Sequence, residues 1–149
     1  MKVLFDIDKD ITLKNWVCAL AVTMLAGCGY FGAPVHEFDS TVKQLNLANL
    51  VEGSWQRVCF ITPYTDNQRA RKVLGFRFDV EKRTRIKTND GVTLLVFIKD
   101  NQVERYFETP RGNIDFTSVT PKCIDRENAH FQLESDSNWT RAVHSGKGE

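Results

Sequence analysis

The chain has 149 residues, 42% of them hydrophobic and 26% charged, with a formal net charge of +1. That length suits one domain rather than two, and the composition excludes a disordered polar chain. The three Lys and three Asp of residues 1–27 cancel, so the remainder also carries +1, and nothing global steers it toward nucleic acid or anionic lipid.

Residues 1–15 precede an apolar run from Trp16 to Met24, which ends in Leu25-Ala26-Gly27-Cys28. The run is of signal-peptide length and too short to span a bilayer. Lys14 places a positive charge before it, and the next Lys or Arg is Lys43. Asp6, Asp8 and Asp10 are unusual in such a leader. They are accounted for if translation starts at Leu13 through an alternative start codon.

Leu25-Ala26-Gly27-Cys28 resembles a bacterial lipobox, the signal of membrane lipoproteins. The resemblance implies cleavage before Cys28 and diacylglycerol on its sulfur. It covers residues 14–28 and extends no further. Its implications are a signal peptide over 1–27 and a membrane partner through the lipid on Cys28; Gly29, Gly32 and Pro34 discourage regular structure and predict a flexible tether over 28–37. Gly29, standing where an inner-membrane retention signal has Asp, points to the outer membrane. An uncleaved anchor over 16–32 and a buried core helix are the competing readings.

Asp6-x-Asp8 also resembles the first motif of haloacid-dehalogenase-type phosphotransferases, but Asp10 stands where that family has Thr or Val. Asp6, Asp8 and Asp10 resemble the start of an EF-hand loop, but Ile11 and Val17 replace its Gly and Glu. Neither carries an expectation of activity.

With Cys18 in the leader and Cys28 lipidated, Cys59 and Cys123 form an even pair in an oxidising compartment. A disulfide between them is expected. It would close a loop of about 65 residues and contribute roughly 4 kcal/mol. Two buried thiols are the alternative; Cys59, Cys123 and His130 lack the close spacing of a metal site.

After the tether, a single small α+β domain is expected over 38–143, followed by a frayed tail over 144–149. Phe38, Val42, Leu45 and Ala48 recur at helical spacing and predict a helix over 40–51. A strand follows from Trp55 to Ile61. Thr65 and Gln68 fit a capping box, predicting a helix over 66–74 ended by Gly75. Phe76, Phe78 and Val80 alternate with polar residues and predict a strand.

Asn89-Asp90-Gly91 marks a turn, Val92–Lys99 a central strand and Val103–Glu108 its hairpin partner. Residues 109–122 read as a loop anchored by Ile114 and Phe116. Strands are expected over His130–Glu134 and Trp139–Val143. The fold class that results is α+β: an antiparallel sheet of four to six strands with one or two helices packed on one face.

Arg69, Arg71, Lys72, Lys82, Arg83 and Arg85 make the one notable charge cluster. It suits lipid headgroups, lipopolysaccharide phosphates or an acidic protein partner; solvated helix and edge-strand faces account for it equally. No Gly-x-Ser-x-Gly or Gly-rich phosphate loop occurs, and His36, His130 and His144 fall in the tether, a strand and the tail. No cofactor or metal is expected. The function expected is a non-enzymatic envelope module that binds a protein partner, of inhibitor, immunity or assembly-accessory type. A lipid-anchored hydrolase acting on an envelope polymer is the alternative.

Overall fold

The computed structural model describes residues 32–146. The leader, Cys28 and the last three residues lie outside the described residues. Two antiparallel sheets and three short helices form an α+β fold, the class expected from sequence.

The first sheet has the order β4-β3-β2-β5. Its strands are β2 (Arg57–Ile61), β3 (Val92–Lys99), β4 (Gln102–Pro110) and β5 (Cys123–Asp125). The second has the order β1-β6-β7, from β1 (Gln44–Asn46), β6 (His130–Ser135) and β7 (Thr140–His144). The helices are α1 (Leu47–Leu50), α2 (Asn67–Leu74) and α3 (Val80–Arg83).

β3 is buried at every position from Val92 to Ile98, because both faces of its sheet are covered. Side chains alternate along a strand, so the run feeds two cores. Leu95 and Phe97 join Val58, Phe60, Phe107 and Ile124 against the second sheet, whose Leu45, Phe131 and Ala142 close that core. Leu94, Val96 and Ile98 join Cys59 and Ile61 on the other face, under Ala70 and Leu74 of α2 and Val80 of α3. The order is therefore sheet, sheet, helices, with α2 and α3 together on one face.

The sandwich core is aromatic. Phe60 stacks on Phe116 at 5.4 Å between ring centroids, and Phe131 meets Phe60 edge-on at 5.6 Å. Ile114 and Phe116 are fully buried, as their role as loop anchors requires. Trp55 is buried too: its Nε1–H donates to the Val51 carbonyl at 3.0 Å, and the Arg126 guanidinium lies 4.7 Å over its ring.

Several elements follow the sequence pattern closely. The β3–β4 hairpin turns through Asp100 and Asn101, both at positive φ of 49° and 57°. Short Asn and Asp side chains tolerate that conformation. Gly75 ends α2 at φ 84°, where a Cβ would be strained. β6 and β7 lie within a residue or two of the expected strands, although β7 takes in His144 of the expected tail.

Four expectations need correction. Helix 40–51 is reduced to Leu47–Leu50, preceded by β1. Leu45 and Leu47 are buried at period two, whereas Val42 and Leu50 of the helical stripe are exposed. Asn46 is extended, and its side chain accepts from the Ala48 N–H, so the helix starts only there.

The strand expected at 76–80 does not form. Asp79 accepts from the Lys82 N–H and from Asn67 Nδ2, starting α3 at Val80 instead. α2 is capped by Asp66, which accepts from the Arg69 N–H at 2.8 Å. The Thr65 hydroxyl donates to the Thr62 carbonyl, so the expected capping box is not made. Finally, residues 33–36 of the expected tether belong to the fold. Ala33 is buried, the Glu108 N–H donates to the Pro34 carbonyl, and the His36 N–H donates to the Glu108 carbonyl.

Candidate interaction surfaces

Cys59 and Cys123 are directly opposite each other on β2 and β5. The Phe60 N–H donates to the Lys122 carbonyl, so the two cysteines form a non-hydrogen-bonded pair, the kind that brings Cα atoms closest. Their Cα atoms are 4.0 Å apart and their sulfurs are bonded. The bridge lies on the helical side of the sheet, with Cys123 Sγ 3.3 Å from the Val73 carbonyl oxygen of α2.

The basic residues singled out by sequence come together on that same side. Arg69, Arg71 and Lys72 lie on α2, Lys82 and Arg83 on α3, all exposed. Asn67 Nδ2 joins the two helices by donating to Asp79. Between them runs an open cleft of about 590 Å³, lined by Asn67, Gln68, Arg71, Arg77, Phe78 and Asp79. Arg71, Lys72, Arg77 and Lys82 have no ion pair among the described residues.

The cleft continues toward the β3–β4 hairpin as a second hollow of about 460 Å³, reaching Asn101, Gln102 and Tyr106. The Phe78 ring meets Tyr106 edge-on at 5.1 Å, and the Arg83 guanidinium lies 5.9 Å from its centroid. The sequence pattern pointed to Phe78 as a strand residue, not as the floor of this hollow.

Arg85 is differently placed from the other five. Its guanidinium turns to Glu108, which is fully buried: Nε at 3.0 Å and Nη2 at 2.7 Å from Oε2. The Arg85 backbone N–H also donates to Glu108 Oε1 at 2.6 Å. Glu108 thus binds Arg85 through its carboxylate and residues 34–36 through its backbone, joining the incoming chain to the helical layer. Sequence reading placed Glu108 in a hairpin strand and had no signal for this.

On the sandwich side of the β4 edge lies a smaller groove of about 340 Å³. Val35 and Leu50 flank it, 54% and 52% exposed, with His36, Val51 and Phe107 as its floor. His36 packs against Phe38 and Phe107 at 4.6 and 4.7 Å. None of these three clefts is lined by His130 or His144.

A further cluster surrounds Asp115. It accepts from Arg111 at 2.9 Å and from the Thr117 N–H and hydroxyl, while Arg111 reaches over the exposed Trp139 ring. Burial pushes the Asp115 carboxyl up, but hydrogen bonds from Arg111 and Thr117 outweigh it and hold the group below the usual aspartate range. A carboxylate depressed in the folded state contributes stability above its unfolded value and loses it as the pH falls through the folded one. Asp115→Asn is therefore expected to flatten the acid limb of the stability curve. Urea midpoints measured at descending pH check this; an unchanged acid limb would count against it.

No family model, curated protein or solved structure matches this chain. Among the described residues no helix is long and apolar enough to cross a membrane, and no group of three His, Cys, Asp or Glu is placed to hold a metal ion. What the surfaces offer is an arginine-rich face suited to anionic oxygen and an apolar groove suited to a side chain of another protein.

Proposed function

We propose that this chain is a lipid-anchored protein of the bacterial cell envelope, facing the periplasm, whose folded part is a non-enzymatic binding module for another envelope protein. The observation that carries the reading is the Cys59–Cys123 disulfide. Such bonds persist in oxidising compartments, and the Leu25-Ala26-Gly27-Cys28 signal would deliver the chain to one. The two features are independent, since one lies in the leader and the other in the folded domain.

The groove beside Val35 and Leu50 supports a protein partner. Val35 and Leu50 stand about half exposed, and the groove of about 340 Å³ between them has room for an anchoring side chain. The partner role is that of an inhibitor, an immunity-type factor or an assembly accessory.

Expression of the full gene in a bacterium with labelled palmitate tests the anchor. Label is expected on the wild type and not on Cys28→Ala, with a larger precursor accumulating when lipoprotein signal peptidase is inhibited. Absence of label from every sample would remove the envelope reading.

A further inference from the structure

We infer that the basic face of α2 and α3 rests on an anionic phospholipid surface, so that the anchored domain stands on the membrane in one orientation. The inference rests on the lipid anchor proposed for Cys28, and two observations point to this face.

The first is where the chain joins the domain. Cys28 and Ala33 are five residues apart, and five extended steps reach at most about 18 Å. Ala33 is buried in the core on the helical side of the sheet, not in the sandwich. The Pro34–His36 segment runs parallel to β4, bridged at Val35 and Glu108. Followed backward, it therefore heads toward the Gln102 end of β4, where the hollow between Phe78, Arg83 and Asn101 opens. A lipid on Cys28 would therefore lie within that reach of Ala33.

The second is charge. Arg69, Arg71, Lys72, Arg77, Lys82 and Arg83 face solvent on this layer. Asp66 and Asp79, held ionised as helix caps, offset two of these six cations, and Glu81 pairs with Lys87, so a basic excess remains. The outer sheet has no such excess: on β6 and β7 Glu134 stands opposite Arg141. Cations close to an anionic leaflet each add to its attraction, and a lipid chain with a basic patch makes a two-signal attachment. Phosphate oxygens of the headgroups would meet the arginine side chains, leaving the sandwich side of β4 and its apolar groove accessible.

The test uses the full lipidated chain, purified from membranes and reconstituted in nanodiscs with or without phosphatidylglycerol. Amide hydrogen exchange is followed in both. Exchange over residues 67–87 is expected to slow several-fold only with phosphatidylglycerol, with no change over β6 and β7. The slowing should vanish in high salt and in the combined R71Q, K72Q, K82Q, R83Q variant, whose substituted side chains are all exposed. A lipidated chain with equal exchange in both discs, or with protection over β6 and β7 instead, would overturn the orientation and leave the anchor standing. The intact mass of the same sample reports the lipid; a chain without it defeats the anchor, and this inference with it.

Discussion

Cys59→Ala is expected to unfold at a much lower urea concentration than the oxidised wild type, by a loss of about 4 kcal/mol. The disulfide closes a loop spanning 64 positions, from the centre of one sheet to its edge. Without it the unfolded chain regains the conformations that the loop removed. Small domains have about 5–15 kcal/mol in all, so this is a large share of the total. In a thermal scan the loss corresponds to a melting temperature lower by roughly 15 °C.

A second signature separates this account from simple loss of packing. The reduced unfolded chain is more expanded, so the dependence of stability on urea should steepen as the midpoint falls. Cys123→Ala should match Cys59→Ala closely, although Cys59 is fully buried and Cys123 only partly. If instead the two variants differed as their burial does, the cysteines would be acting as core residues and not as a staple.

Arg85→Ala is the other large effect expected, at about 3 kcal/mol. Glu108 is wholly out of water and Arg85 is 42% exposed at its side chain, so the pair is asymmetric. Removing the arginine strands a buried carboxylate with one backbone donor left; removing the carboxylate's charge leaves an arginine that water can still solvate. Glu108→Gln should therefore cost less, about 1–2 kcal/mol. The paired change Arg85→Met with Glu108→Leu should recover most of the loss, because neither charge is then buried. Urea unfolding of the three variants checks the order. Equal costs for Arg85→Ala and Glu108→Gln would show that the pair contributes only its hydrogen bonds.

These two interactions also mark how far the sequence could be read. The Cys59–Cys123 pairing was legible because the lipobox resemblance at residues 25–28 implies that Cys18 is removed and Cys28 lipidated, which would leave an even pair in an oxidising compartment. The hairpin at Asp100-Asn101 was legible because turn chemistry is local, as was Gly75 at the end of α2. The run Val92–Lys99 announced a strand covered on both faces, and the two cores behind it follow from alternation alone.

What was not legible depended on distant partners. Residues 44–46 form a strand because β6 lies beside them: Gln44, Leu45 and Asn46 pair with Gln132, Phe131 and His130. The local apolar spacing fitted a helix equally well, and an edge offered some eighty-five residues later cannot be seen in a window of twelve. Residues 33–36 looked like linker because of Pro34 and the neighbouring glycines; they are held by the outward-facing backbone of Glu108. The basic cluster was visible as composition, but its division was not. Arg85 serves the buried carboxylate, while Arg71, Arg77 and Arg83 line a cleft with Phe78 as part of its wall.

Asn67 illustrates the same limit on a smaller scale. Its side chain donates to Asp79 and accepts from the Glu81 N–H, aligning the start of α2 with the start of α3. Asp66 and Asp79 are residue types that cap helices, but the sequence pattern put Thr65 at the first cap and a strand across the second, and only the fold shows that one asparagine couples the two. The shared surface of the two helices, and the cleft it holds, depend on that contact.

The most direct test of the account is the intact mass of the chain extracted from bacterial membranes without reducing agent. The predicted result is a single species beginning at Cys28, carrying lipid, and lighter by two hydrogens for the Cys59–Cys123 bond. A chain that retains residues before Cys28, carries no lipid and reacts with thiol reagents at Cys59 and Cys123 would contradict it.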